Sequence, residues 1–564
     1  MNKVFKKLSL AAAITLSVAA GFSQESGAQS GVPKGWHLLD LNKDGFYGIS
    51  LEKAYSELLA GKKSKTVIVA VIDSGIDTLH EDLKPVLWIN PKEIPGNGID
   101  DDKNGYVDDV YGWNFLGGKD GRNVKEDSYE AARVYHKLKA KFGNPAGKDT
   151  SGWSADPEYA VWTRVRAEIE GNAKGIAQRI GQLKTLLANL KKADDTIKVY
   201  MQKDVYTGNE LEKWEPAAEE AKKAKVVALM VYQGSKVMEM TNVALIDDLT
   251  NYISSEEKKV EAANTPPKNY RGDIVKDNYY DFNDRYYGNP DVMANTPFHG
   301  THVAGIIGAV RGNGLGIDGV ADNVKLMIIR AVPDGDEHDK DIALAIRYAV
   351  DNGAKVINMS FGKSYSPEKH WVDDAVKYAE SKGVLLVHAA GNDAKDLDKG
   401  FNYPNPHLGA YNIKAPNFIT VGASGDPKAG GLAASFTNYG KNEVDVFAPG
   451  VRIYSTIPGG NTYGNAQGTS MASPVVAGLA ALIFQYYPDL TPAQVKEIIE
   501  KSAVVYNDVT TNKPGGRDKV TLSDLSRTGG IVNAYEALKM AEELYGGKNN
   551  TKATKSKKKK KNRN

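Results

Sequence analysis

The sequence VIVAVID, residues Val67–Asp73, is an unbroken apolar run that ends in an acid. β-branched residues without polar alternation are typical of a central strand in a parallel sheet, where both faces are buried. Gly75 then turns the chain. Because open α/β sheets carry their functional groups at the carboxyl ends of strands, Asp73 is a candidate functional residue. The alternative is a turn aspartate that caps a following helix.

A second motif, HGTHVAGIIG, begins at His299 and has the small and apolar residues of a buried helix. His299 and His302 lie three positions apart and therefore share one flank of that helix. The H-E-x-x-H pattern of zinc peptidases is absent. A metallopeptidase that uses both histidines and a purely structural pair of histidines are the two alternatives that this motif leaves open by itself.

A third motif, GTSMASP, occupies residues 468–474 and precedes the apolar run VVAGLAALI. Proline is tolerated only near the first turn of a helix, so Pro474 predicts a helix that begins close to Ser470. Unpaired N–H groups and the helix dipole favour negative charge there. That environment suits a serine nucleophile whose attack creates an oxyanion, although a serine that merely caps the helix is the commoner case.

Together, the three motifs closely resemble those of the subtilisin-like serine peptidases, the subtilase family. Asp73, His299 and Ser470 occur in the order of the subtilisin triad. The resemblance implies that these three residues hydrolyse peptide bonds through an acyl-enzyme intermediate, without a cofactor. It also implies that Asn392, in the segment LLVHAAGND, donates to the oxyanion. His302 is then expected to be structural.

The resemblance also implies the fold and the mode of substrate binding. Between Lys325 and Lys382 predicted strands and helices alternate, which indicates an α/β fold with a doubly wound parallel sheet. In subtilases the segment that corresponds to Ser360, Phe361 and Gly362 pairs with the backbone of an extended substrate. Such strand addition recognises polypeptides with modest demands on their sequence.

The composition and the N-terminus suggest an exported protein. A hydrophobic content of 41% and a charged content of 25% are ordinary for a globular protein. A net charge of +2 gives no reason to expect nucleic acid as a partner, and cysteine is absent. Lysines followed by the apolar stretch Leu8–Ala20 predict a signal peptide, and hence a secreted or periplasmic protein. We expect no membrane-spanning segment after its cleavage.

The chain is predicted to be interrupted by a long helical segment. Apolar residues recur at spacings of three and four from Ile169 to Leu190, which predicts a helical hairpin or small bundle inserted into the α/β domain. It could act as a lid, bind a partner or be purely structural. No folded propeptide of the kind common in subtilases is evident. The predicted boundaries are 1–22 for the signal peptide, 23–116 for a lead-in and the first part of the catalytic domain, 117–269 for the insertion, 270–545 for the rest of the catalytic domain, and 546–564 for a basic disordered tail.

Two groups of residues are candidate sites for a structural calcium ion. The resemblance implies Asp82 as a ligand, with Asn313 on the partner loop. The second group follows the spacing of a calcium loop, although no glutamate closes it, and an acidic surface turn is the alternative. Its residues are Asp100, Asp102, Asn104 and Asp108.

The sequence thus predicts a secreted serine endopeptidase that acts on polypeptides. One alternative is a processing peptidase of narrow specificity, or an exopeptidase, in which the helical insertion restricts access to the cleft. Another is a binding protein that has kept the fold while its catalytic residues are silent.

Overall fold

The computed structural model describes residues 32–144, 150–171, 173–235, 237–238 and 240–546. The predicted signal peptide and all but the first residue of the predicted basic tail lie outside these residues. The described chain divides into two compact units. We call residues 32–127 together with 269–546 the sheet unit, and Ser128–Lys268 the helical unit.

The sheet unit is built on a nine-stranded sheet, which three two-stranded hairpins accompany. The strands are β1 Val67–Asp73, β2 Gly112–Asn114, β3 Val324–Arg330, β4 Val356–Met359, β5 Leu385–Ala389, β6 His407–Leu408, β7 Ile413–Lys414, β8 Phe418–Ser424, β9 Val446–Pro449, β10 Ile453–Ile457, β11 Thr462–Ala466, β12 Val504–Val505, β13 Thr511–Asn512, β14 Lys519–Val520 and β15 Gly530–Ile531. The order in the nine-stranded sheet is β12-β15-β9-β8-β5-β4-β1-β3-β2. Every neighbouring pair in it is parallel except β12 and β15. The prediction of a largely parallel α/β sheet is therefore confirmed.

The α-helices of both units are numbered here along the whole chain. They are α1 Leu41–Asp44, α2 Leu51–Ala54, α3 Glu130–Phe142, α4 Pro157–Gly171, α5 Ala173–Met201, α6 Gly208–Lys213, α7 Glu219–Ser235, α8 Asn242–Asn264, α9 Tyr270–Ile274, α10 Phe298–Gly308, α11 Asp339–Asp351, α12 Lys369–Ser381, α13 Thr469–Tyr486, α14 Pro492–Lys501 and α15 Ala534–Ala541. Helices α3 to α8 belong to the helical unit, and the others belong to the sheet unit.

Strand β1 lies between β3 and β4 and is buried on both faces. Its side chains alternate between two cores, as the two-residue period of a strand requires. Val69 and Val71 pack in the core that contains residues of α10 and α13. Ala70 and Ile72 pack in the core that contains residues of α11 and α12. Burial on both faces explains why the sequence of β1 is apolar throughout.

The helical unit has a hydrophobic core of its own. Helices α5, α7 and α8 contribute most of it, and a buried polar contact accompanies it: Asp194 accepts hydrogen bonds from the Tyr206 hydroxyl (2.7 Å) and from the Asn242 amide (2.8 Å). Buried apolar side chains in this core include Ile180, Leu183, Leu190 and Ile197 of α5, Ala228 and Val231 of α7, and Leu245, Leu249 and Ile253 of α8.

Helix α13 is unusually apolar for a helix of a globular protein. Among the described residues, it alone has the length and hydropathy of a membrane-spanning segment, with a mean hydropathy of 1.3. The sequence gives the expectation of no membrane-spanning segment after the signal peptide. In the structure 89% of this helix is buried inside the protein. Its apolar surface packs on the sheet, which accounts for a composition without charged residues.

Candidate active site

Candidate residues follow the ends of three neighbouring strands, β1, β4 and β5, at one edge of the sheet. In the parallel register, Ile72 of β1 pairs with Met359 of β4, and Met359 pairs with His388 of β5. Asp73, Ser360 and the segment that leads to Asn392 therefore leave the sheet at the same edge. This is the carboxyl edge, where open α/β sheets place their functional groups.

Asp73 and His299 are in direct contact at this edge. The Nδ1 atom of His299 lies 2.7 Å from Oδ1 of Asp73, and the backbone N–H of Ser74 donates to the same oxygen over 2.8 Å. Gly300 permits this approach, because a Cβ atom there would lie 2.2 Å from the carbonyl oxygen of Gly75. The absence of a side chain at Gly300 thus lets α10 lie close to the end of β1.

The environment of His299 favours its protonated form. Desolvation by the surrounding protein lowers its pKa, but the charge of Asp73 and the hydrogen bond to it outweigh this effect. The pKa of His299 therefore lies above its ordinary value. A proton on Nδ1, directed at the carboxylate, leaves Nε2 free to accept a proton. The side chain is 40% exposed, so the ring remains accessible to a substrate.

Ser470 lies in the first turn of α13, one residue after the helix begins. The chain enters the helix through Gly468, whose φ of +152° is a conformation that favours glycine. Pro474 lacks an N–H group, so it cannot donate the usual helical hydrogen bond to the carbonyl oxygen of Ser470. The hydroxyl of Ser360 donates to that oxygen instead, over 2.9 Å.

The Ser360 hydroxyl is held by a chain of buried hydrogen bonds. The Asn358 amide donates to it over 2.9 Å, and the Ser473 hydroxyl donates to the Asn358 side-chain oxygen over 2.8 Å. The Ser470 hydroxyl donates to the backbone oxygen of Ser360 over 3.1 Å. Within the described residues it makes no hydrogen bond to His299. Catalytic hydrogen bonds are often long or misaligned before substrate binds, so this geometry is compatible with a nucleophile.

Asn392 is oriented by the residue that precedes Ser470. Its side-chain oxygen accepts hydrogen bonds from the backbone N–H of Thr469 and from the Thr469 hydroxyl, both at 2.9 Å. In the described part of the chain, its Nδ2 group makes no hydrogen bond. Asn392 is exposed. The amide therefore offers its N–H donors to a ligand beside the start of α13.

His302 occupies a different environment from His299. It is completely buried, and its Nε2 atom lies 3.1 Å from the carbonyl oxygen of Gly464 in β11. Burial lowers the pKa of His302 to about 4, so the ring is neutral. The described residues bring no third metal-binding side chain to the two histidines. The geometry gives the metallopeptidase alternative no support.

The predicted substrate segment forms a short ladder with a neighbouring loop. Beyond Gly362, the backbone of Lys363 pairs with Tyr403 through two hydrogen bonds of 3.1 and 2.9 Å. The carbonyl oxygen of Phe361 lies 2.8 Å from Nε2 of His388. A Cβ atom at Gly362 would lie 2.5 Å from the side chain of Asn402. The segment is thus anchored at Phe361 and Lys363.

Comparison with known proteins identifies the family. A sequence model described as "Subtilase family" matches residues 64–529, most of the chain. The chain belongs to the subtilase family. The resemblance inferred from the three motifs is therefore confirmed.

Two relatives and one solved structure illustrate the extent of the similarity. The chain is 37% identical over 268 residues to a thermophilic serine proteinase of Bacillus sp. (strain AK1), covering 47% of this chain and 57% of that protein. It is 41% identical over 208 residues to subtilisin E of Bacillus subtilis (strain 168), covering 36% and 50%. A solved protease structure from Pseudoalteromonas arctica PAMC 21717 is 32% identical, with 44% and 74% covered and a TM-score of 0.35. The chain spans about half the length of the curated relatives it matches.

The first candidate calcium site, suggested by family resemblance, joins Asp82 and Asn313. The Asn313 amide N–H donates to Asp82 over 2.6 Å, and the Tyr463 hydroxyl donates to the other carboxylate oxygen over 3.3 Å. The Asn313 side-chain oxygen accepts from the backbone of Leu315. Burial raises the pKa of Asp82, although both hydrogen bonds oppose it. The structure thus brings Asp82 and Asn313 together, with the amide presenting a donor rather than an oxygen to the carboxylate.

The second candidate site is brought together only in part. Asp100 and Asp102 lie close together, and the backbone N–H of Asn104 donates to both. Asp108 is turned away and accepts hydrogen bonds from three backbone N–H groups of the preceding turn. Glu93 joins Asp100 and Asp102 instead. Sequence spacing missed Glu93 because it precedes the loop pattern by seven positions.

Proposed function

We propose that the chain is a serine endopeptidase that hydrolyses polypeptides through a triad of Asp73, His299 and Ser470. The 2.7 Å contact between Asp73 and His299 carries this proposal, because it directs the proton of His299 toward the carboxylate. Membership of the subtilase family and the position of Ser470 at a helix N-terminus support the proposal.

In the proposed mechanism, the Ser470 hydroxyl leaves the Ser360 carbonyl and attacks the carbonyl carbon of the substrate. His299 accepts the serine proton at Nε2 and passes it to the leaving amine. Asp73 holds the imidazole tautomer and stabilises the imidazolium without being protonated itself. Water then hydrolyses the acyl-enzyme by the same route.

The oxyanion of each tetrahedral intermediate is assigned to two donors. These are Nδ2 of Asn392, whose amide is oriented by Thr469, and the backbone N–H of Ser470 at the start of α13. One such donor typically lowers the barrier by about 3–4 kcal/mol. The positive end of the α13 dipole adds to this stabilisation.

The substrate is proposed to be a polypeptide in extended conformation, lying along Ser360, Phe361 and Gly362. Backbone pairing there would give affinity that depends little on the side chains of the substrate. Among the described residues, no observation favours an exopeptidase, a processing peptidase or a silent binding protein over this assignment. We also propose that the protein is exported and that the helical unit is an insertion between the segments that carry Asp73 and His299.

Active-site labelling of the purified protein by a fluorophosphonate probe tests the assignment. We expect labelling and casein digestion in the parent protein, and neither in the Ser470→Ala variant. A variant with Asp73→Asn should keep the nucleophile but label much more slowly. Labelling that persists in Ser470→Ala, or a folded parent protein that does not label at all, would refute the proposed triad.

A further inference from the structure

Three carboxylates meet in the loop that leads into β2. Ligand oxygens of Glu93, Asp100 and Asp102 all lie within 4.8 Å of one another. In the described part of the chain, this is the one group of three or more metal-binding side chains at such spacing. Because like charges at this distance repel one another, the group requires a compensating charge.

Glu93 provides a second, independent observation that points to a ligand. The residue is only 7% exposed, and its Oε1 atom accepts hydrogen bonds from the backbone N–H groups of Asp101 (3.0 Å) and Asp102 (3.2 Å). Its Oε2 atom is buried and has no hydrogen-bond partner. A buried carboxylate oxygen without a partner is costly, and native proteins rarely leave one unsatisfied.

Among the described residues, Lys92 is the one cation that forms an ion pair with this cluster. Between residues 92 and 109 the chain carries six carboxylates and only two lysines. The Lys92 ammonium group is 3.8 Å from Asp102, but the lysine side chain is 71% exposed, whereas that of Asp102 is 2% exposed. A solvated lysine at that distance contributes little to the stability of a buried anion.

We propose that Glu93, Asp100 and Asp102 bind a calcium ion. Calcium prefers carboxylate and carbonyl oxygens at about 2.4 Å, so two oxygens on opposite sides of the ion lie about 4.8 Å apart. The spacing of the three carboxylates satisfies this limit. Further oxygen ligands would come from backbone carbonyl groups or water.

This site differs from the loop that sequence spacing predicted. Asp108 is excluded, because it does not belong to the group of carboxylates whose ligand oxygens lie within 4.8 Å of one another. Asn104 is not assigned as a ligand; its side-chain oxygen accepts from the backbone of Tyr106, and its amide donates to Asp109. Glu93 provides the carboxylate that the loop pattern lacks.

The proposed ion would stabilise the segment next to the carboxyl edge of the sheet, where the candidate active site lies. The loop continues directly into β2, which pairs with β3. Asn114 at the end of β2 accepts a hydrogen bond from Arg330, which also donates to the carbonyl oxygen of Ser74 beside the catalytic aspartate. Calcium is therefore expected to raise the thermal stability of the protein without taking part in the chemistry.

Calcium binding is best measured on the full-length Ser470→Ala protein, which cannot digest itself. After removal of metal with a chelator, we would titrate calcium by calorimetry and follow terbium luminescence, which Tyr106 in the same loop can sensitise. The Glu93→Gln variant should lose the ion or bind it about tenfold or more weakly. Asp108→Asn is the matched control and should bind calcium as the parent does.

Equal stability of the metal-free proteins would show that both variants fold, because glutamine can still accept the two backbone hydrogen bonds. If Glu93→Gln fails to fold, Asp100→Asn provides the second test with the same expectation. Calcium binding that survives in Glu93→Gln, or that is lost in Asp108→Asn, would overturn the proposal. The measurement does not depend on peptidase activity, so it stands apart from the proposed function.

Discussion

The Ser360→Ala substitution is expected to slow catalysis because it leaves the carbonyl oxygen of Ser470 without a donor. Pro474 cannot supply the usual helical hydrogen bond, and the Ser360 hydroxyl replaces it over 2.9 Å. An unpaired carbonyl in this partly buried position costs about 1–2 kcal/mol. If that cost falls on the positioning of the nucleophile, kcat/KM should drop about 5- to 30-fold.

The assay is the hydrolysis of a chromogenic peptide anilide, with kcat and KM determined separately. We expect the loss in kcat, because the substitution leaves intact the backbone of residue 360, which is proposed to pair with the substrate. Ser473→Ala is the matched control: it removes a hydroxyl from the same network, but the Ser470 carbonyl keeps its donor. It should lower stability by about 1 kcal/mol and change kcat little.

A double variant tests whether the lost hydrogen bond to Ser470 causes the loss of activity. In the double variant Ser360→Ala/Pro474→Ala, residue 474 regains an N–H group that can donate to the carbonyl oxygen of Ser470 four positions earlier. Activity should recover most of its loss. If kcat stays low in the double variant, or if Ser360→Ala lowers Tm without changing kcat, then the hydroxyl does not position the nucleophile.

Two further predictions concern the contact between Asp73 and His299. Because His299 must be neutral to act as a base and its pKa lies above the ordinary value, kcat/KM should rise with pH through that pKa. In Asp73→Asn this rise of kcat/KM should move to lower pH, and activity should fall by about 10⁴-fold. A pH–rate profile whose rise stays at the same pH would contradict this. Gly300→Ala should reduce both activity and Tm, because its Cβ atom would collide with Gly75. The control is Gly181→Ala, a helical position where an added Cβ atom would meet no other atom within 4 Å. In thermal unfolding this variant should be neutral or more stable by about 0.5–1 kcal/mol. If Gly300→Ala is equally unaffected, its Cβ atom does not collide with Gly75.

A residue's position in the fold can be predicted from the sequence where it depends on the immediate neighbours of that residue. Strand β1 is apolar throughout because both of its faces are buried, so its position in the sheet could be inferred from seven residues. Asp73 and His299 belong to separate motifs, and they are in contact although 226 positions separate them. Each motif contains the small residues that the close approach needs, such as Gly300.

Sequence reasoning failed where a contact depends on long-range geometry. Loop spacing placed Asp108 with Asp100, but a positive φ of 56° at Asp108 accompanies a carboxylate that faces the preceding turn. Glu93 comes from outside the pattern, and no local signal marks it. The sequence predicts Ser360 only as part of the substrate-binding segment. It gives no sign of the hydrogen bond from the Ser360 hydroxyl to Ser470, because 110 positions separate the two residues.

Arg330, beside the candidate active site, is another residue whose contacts could not be predicted from the local sequence. It is fully buried at the end of β3, opposite Asp73 in the sheet register. Its guanidinium group donates to the carbonyl oxygens of Ser74 (3.0 Å) and Val124 (2.7 Å) and to three side-chain oxygens, those of Asn114, Asn295 and Thr296. Burial lowers its pKa to about 10, so it stays charged at neutral pH. No sequence motif indicates this residue. Its hydrogen bonds nevertheless join Ser74, which follows Asp73, to Asn295 and Thr296, which precede His299.

Arg330→Lys should therefore be far from conservative. A lysine keeps the charge but has three donors on one atom, so it cannot reach acceptors that surround a planar group with five N–H donors. Acceptors left unpaired in a buried site should lower the free energy of unfolding by about 2–5 kcal/mol. Chemical denaturation measures this, with the half-exposed Arg122→Lys as a control that should change stability by no more than about 0.5 kcal/mol. Because Ser74 would lose its hydrogen bond, kcat/KM should fall even where the variant is fully folded. A stability loss below about 1 kcal/mol would show that water or rearranged side chains replace the guanidinium, and that the position of Asp73 is set by the sheet alone.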